Sequence, residues 1–161
     1  MKKYLLNCLL LLVPVMVWDA LFTNRLPAAF QPDVFWSDIP SWLSYGENIS
    51  RTIVFILALL MPIPVKKLHQ KTGFKLYVAG LAFYFLSWIA LIDYPQSTWS
   101  QSVWGFMAPA YTPILWLAGI ALMADSFYFK LPYRWYYYLL ISAIFFALHC
   151  WHAWVVWGRV G

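Results

Sequence analysis

The chain has 161 residues, of which 63% are hydrophobic, 21% aromatic and only 11% charged, and its net charge is +5. Soluble domains carry about a quarter charged residues and about half apolar ones, so this composition excludes an ordinary water-soluble domain and points to an integral membrane protein. The length fits one domain, 1–161, and no repeat or low-complexity tract divides it.

The first apolar segment, 4–22, follows Lys2 and Lys3 and has a leucine core, as a signal peptide does. Trp18-Asp19-Ala20 offers no small residue at the −3 position of a cleavage site, so a retained anchor is expected. A long loop, 23–50, comes next. Within it Trp36, Ile39 and Leu43 recur at helical spacing, which predicts a short helix floating in the headgroup layer rather than a lid. The second segment, 47–65, is the weakest: its uncharged part, 52–65, would span only about 21 Å as a helix, so it has to start before Arg51. The basic stretch "KKLHQKTGFK" then reads as a loop beside a span, with His69 solvated, and not as a nucleic-acid surface. Three further segments follow, 76–94, 107–125 and 135–157, each near the roughly 20 residues that cross a bilayer core. The expected fold is an all-α, five-transmembrane-helix bundle with a short interfacial helix in the first outer loop. Cys8 and Cys150 fall near opposite ends of their spans, too far apart in depth for a disulfide.

Charge orients the bundle. With five spans and the N-terminus in the cytoplasm, Lys2, Lys3, Lys66, Lys67, Lys71, Lys75, Lys130 and Arg134 lie inside, and only Arg25, Arg51 and Arg159 lie outside. Basic residues concentrate on the cytoplasmic side of membrane proteins, so the C-terminus is expected outside. Nine of the 11 tryptophans then fall in the outer half or the outer loops, more than an interfacial aromatic belt requires.

Counting along each span places its polar residues in depth. Asp19 and His149 both come about 21–23 Å from the inner boundary, and His152 and Asp93 slightly further out. Tyr111 and Thr112 enter from the outer end of the fourth span, and Arg51 from that of the second. These seven residues are the candidate ligand pocket. On the last span Tyr138, Ser142, His149, His152 and Arg159 share a stripe, and on the third Tyr77, Gly80, Tyr84 and Ser87 share another. Polar stripes turn toward a bundle interior, because lipid cannot satisfy their hydrogen bonds. His149 is therefore expected to be buried against Asp19, Arg51, Tyr111 or Thr112, with His152 wetter and nearer the mouth. Pro113 removes the helical partner of the Pro109 carbonyl and loosens the backbone in the same layer.

The chemistry of this layer admits several readings. His149 and His152, at i and i+3, could ligate a metal with Asp19 or Asp93, but the pair lacks the glutamate of the hydrolytic zinc motifs. Histidines bonding across helices are commoner, so no metal is expected and no cofactor is legible. Paired-histidine haem ligation fails because both rings share one face. No nucleophile elbow, P-loop or dinucleotide fingerprint is present. The favoured function is an outward-facing polar and aromatic intramembrane pocket that binds a lipid-like or amphipathic small molecule. One alternative is a membrane-embedded hydrolase or transferase acting on a lipid-borne substrate at the outer leaflet. Another is an accessory subunit of a larger membrane complex or a homo-oligomer. The expected partners are the bilayer and a small hydrophobic or amphipathic ligand. In gross shape alone, five spans with abundant Trp and Tyr, the chain resembles the tryptophan-rich translocator proteins; their Trp-Pro loop motifs do not map onto it.

Overall fold

The computed structural model describes residues 6–63 and 67–160, and its elements are helical apart from one isolated bridge between Asn7 and Pro62. Of the charges used for orientation, Lys2, Lys3 and Lys66 lie outside the described residues.

A 3-10 turn, Cys8–Leu11, starts where the Asn7 side chain accepts the Leu9 N–H at 3.1 Å, and leads into α1 (Val13–Phe22). After two 3-10 turns come α2 (Pro32–Phe35), α3 (Ser41–Leu60), α4 (Leu68–Asp93), α5 (Val103–Tyr111), α6 (Pro113–Met123) and α7 (Trp135–Val160). Five segments are long and apolar enough to cross a membrane: Cys8–Arg25, α3, α4, Val103–Met123 and α7.

The boundaries differ from the sequence reading in three instructive places. The second span begins at Ser41, directly after Pro40, instead of at 47, so Glu47 lies in its second turn. Pro40 fixes the entry, since the chain before a helix can accommodate a residue that lacks an N–H. From Leu68 on, the basic stretch is no loop: Leu68–Lys75 form the first two turns of α4, capped by Gln70, whose side chain accepts the Lys67 N–H at 2.8 Å. The loop helix is α2, not a helix through Trp36, Ile39 and Leu43, and Leu43 is a fully buried residue of α3.

Two helix faces form the core. α4 lies against α6 through Gly73, Gly80 and Gly119; a Cβ on Gly80 would stand 2.5 Å from the Trp116 nitrogen, and one on Gly119 2.5 Å from the Tyr77 nitrogen. Small residues permit this backbone approach, as in many membrane helix pairs. α3 lies against α7 along Leu43, Glu47, Ser50, Val54 and Ala58, a stripe with a period of three or four. The predicted stripe Tyr77, Gly80, Tyr84 and Ser87 is indeed buried on α4. Pro113 divides the fourth span into α5 and α6, and the Thr112 hydroxyl and N–H both return to the Ala108 carbonyl, at 2.8 and 3.1 Å.

α1 is different: it packs closely against none of the other long helices. Its entry is tied by the Cys8 N–H to the Met61 carbonyl (2.8 Å) and by the Tyr77 hydroxyl to the Leu11 carbonyl (2.8 Å). Further along, Trp18 stacks on Phe85 at 4.7 Å. Both cysteines are free.

Candidate functional site

A cavity of about 470 Å³ fills the gap between α1 and the rest of the bundle. Leu12, just before α1, and Val15, Met16 and Asp19 of α1 form one wall; Tyr84, Trp116, Phe55 and Phe145 are on the others. Phe35 and Trp36 also line it, and Pro109 and Pro113 line it at the break in the fourth span. A smaller lobe of about 200 Å³ shares Asp19, Phe35, Tyr84, Pro109 and His149 with it.

The polar organiser of this region is Glu47, which the sequence reading did not include. Its side chain is fully buried. Oε1 accepts from the Arg51 guanidinium, one turn further along α3, and lies 3.0 Å from Nδ1 of His149; Oε2 lies 2.6 Å from Nδ1 of His152. A bare carboxylate cannot be held in an apolar interior, whereas one with three hydrogen-bond partners replaces its lost water. Four residues on two helices thus form one network, which joins α3 to α7.

His149 and His152 exchange their expected places. His152 is the drier, with no exposed side-chain surface against 22% for His149. Its Nε2 lies 2.8 Å from the Phe35 carbonyl, and its ring stacks on Phe35 and meets Trp36 edge-on. This contact, with Arg159 donating to the backbone carbonyls of Ser37 and Val34, folds the segment around α2 onto the bundle. The segment therefore packs on the bundle at the cavity instead of standing free of it: Phe35 and Trp36, both half-buried, touch His152 of α7 and line the cavity. His149 lines both lobes and stacks on Phe145 at 5.5 Å.

Among the other expected site residues, Arg51 and Asp19 line the cavity. The Arg51 guanidinium lies 5.7 Å from the Trp36 ring centre and 5.6 Å from that of Phe145, so rings as well as a carboxylate hold its charge. Asp19 Oδ1 accepts the Tyr84 hydroxyl at 2.8 Å. Tyr84 itself was legible only as part of a stripe. The structure does not bring in Asp93, Tyr111 or Thr112. Asp93 is the exposed last residue of α4, the Tyr111 hydroxyl donates to the Trp104 carbonyl (3.2 Å), and Thr112 turns to Ala108. Trp116, also on the cavity wall, has its indole N–H buried without a hydrogen-bond partner. Both histidines direct Nδ1 to Glu47, and among the described residues no group of three His, Cys, Asp or Glu side chains is arranged to ligate a metal ion.

The chain matches no family model, and neither curated proteins nor solved structures give a match to it.

Proposed function

We propose that this is a small multi-pass membrane protein whose cavity binds a lipid-like or amphipathic small molecule, with the N-terminus cytoplasmic, the C-terminus outside and the cavity in the outer half of the bilayer. The observation that carries the reading is the cavity itself. Its volume of about 470 Å³ is within the roughly 300–1,000 Å³ usual for small-molecule sites. Apolar and aromatic walls with a few convergent polar groups, here Asp19, Arg51 and His149, suit a molecule with an apolar body and a polar head. Because α1 stands off from the other helices, such a molecule has a sideways route from the bilayer that a tightly packed bundle would deny it.

Native mass spectrometry of protein released from mild detergent tests this. The wild type retains a bound amphiphile, and Val15→Trp, which fills the cavity from α1, loses it. Equal retention by both proteins refutes the site. The orientation is tested separately by topology reporters at Lys130 and at the C-terminus, which should report the cytoplasm and the outside, respectively.

A further inference from the structure

The hydrogen-bond partners around Glu47 determine which nitrogen of His149 is free. The Phe35 carbonyl can only accept, so Nε2 of His152 carries a hydrogen. The 2.6 Å contact between Nδ1 of His152 and Oε2 of Glu47 then holds a single proton, on the ring or on the carboxyl. In either case Oε1 remains an acceptor, and it already takes an N–H of Arg51. Nδ1 of His149, 3.0 Å from Oε1, must therefore donate as well. Neutral His149 is thus the Nδ1–H tautomer, with a lone pair on Nε2. That nitrogen bonds to no described group, and the ring that carries it lines both lobes of the cavity.

We propose that His149, positioned by Glu47, hydrolyses the carboxylic ester bond of a diacyl glycerophospholipid whose glycerol ester region enters the cavity while its acyl chains stay in the bilayer. The inference rests on the reading of the cavity as an amphiphile site. A carboxylate that fixes the tautomer and orientation of a histidine, leaving its other nitrogen facing the substrate, is the arrangement of a general base. Nε2 takes a proton from water as the water oxygen bonds to the ester carbonyl carbon, and the carbonyl π pair moves onto its oxygen. The negative charge that develops there needs donors in the same cavity. Arg51 supplies them, since among the described residues its guanidinium hydrogen-bonds only Glu47 and it shares Oε1 with His149. Collapse of the intermediate reforms the carbonyl and breaks the bond to the glycerol oxygen, which takes the proton back from Nε2. Ester and water become a fatty acid and a lysolipid, with no other co-reactant. His149 is the catalytic residue; Glu47, which never meets the substrate, is a positioning residue. Both products are amphiphiles that can leave past α1 into the bilayer.

The test uses the full chain reconstituted into vesicles of equal parts dioleoyl phosphatidylethanolamine, phosphatidylglycerol and phosphatidylcholine in ¹⁸O-water. Free oleate, its ¹⁸O content and the lipid retained by the protein after re-extraction are measured together. The wild type should release oleate carrying the water oxygen. His149→Gln should release it at least about a hundredfold more slowly while still retaining lipid, because glutamine cannot act as a general base but keeps a polar group on the cavity wall beside Asp19 and Arg51. Glu47→Gln should lower the rate with the retained lipid unchanged, a result that a merely structural role would not give. Retained intact lipid with no oleate release by the wild type overturns the hydrolytic reading and leaves the binding site standing. Absence of retained lipid overturns both. His149→Gln releasing oleate at the wild-type rate overturns the role of His149.

Discussion

The α4–α6 contact and the gap beside α1 are the two extremes of this molecule. Where α4 meets α6, glycines bring backbone onto backbone, leaving no room for a methyl group at Gly80 or Gly119. Beside α1 no such approach exists; the helix is held by a ring contact at Trp18 and a hydrogen bond at Asp19, and its entry by a hydrogen bond at Leu11. Within a bilayer, helices gain little by hiding apolar surface from one another, so association depends on close packing and on interhelical hydrogen bonds. The molecule uses packing on one side and hydrogen bonds on the other, and the cavity is on the hydrogen-bonded side.

Removing the carboxylate is the most severe way to disturb the balance between these regions. Glu47→Ala leaves Arg51 and two histidines without their common partner, and breaking a buried ion pair from one side costs about 3–5 kcal/mol. The thermal midpoint in detergent should fall steeply, and the segment around α2 should become accessible to protease, because His152 loses the contact that fixes its ring against Phe35. Next in size is Gly119→Val, whose side chain collides with the Tyr77 backbone. Overpacking of this kind costs about 1–3 kcal/mol, read as the same midpoint shift, with ligand retention falling only as the fold is lost. Val15→Trp inverts that result. It should move the midpoint little and abolish retention, since it fills open space on the α1 side. If Gly119→Val were the milder substitution for stability, the contrast between a packed and an open side would be wrong. The smallest effect belongs to Lys67→Gln. Its 3.0 Å pair with Asp125 is largely exposed, and exposed ion pairs contribute about 0–1 kcal/mol.

Sequence periodicity carried much of this architecture and little of the site. Five apolar segments, the inward stripe on α4 and the inward turn of His149 and His152 follow from hydropathy and spacing. Glu47 was hidden by a boundary. Counted from 47, it stood at the mouth of its span; with α3 starting at Ser41, it falls on the buried stripe with Leu43, Ser50 and Val54, four residues before Arg51. That i, i+4 pairing with an arginine was the available signal. Asp93, Tyr111 and Thr112 were drawn in by depth alone. Depth fixes a residue's height along the bundle but not its direction around the helix, and each of these finds a helix end or a local carbonyl instead of the cavity. A lid was weighed against a float and set aside, because α2 has only four residues, too few for a periodic signal, and its placement depends on contacts with His152 and Arg159 far along the chain.

The arrangement around Glu47 is the centre of this account, and the protonation of its histidines reports on it directly. The chain has 3 histidines, so ¹⁵N solid-state NMR of the histidine-labelled protein in bilayers, assigned by single His→Gln substitutions, resolves each ring. His149 should carry hydrogen on Nδ1 and a bare Nε2 that responds to lipid composition, and Glu47→Gln should remove its bonded Nδ1–H signature. His152 should carry hydrogen on Nε2 throughout. A His149 ring with hydrogen on Nε2 and none on Nδ1, unchanged by Glu47→Gln, would contradict the network and the site built on it.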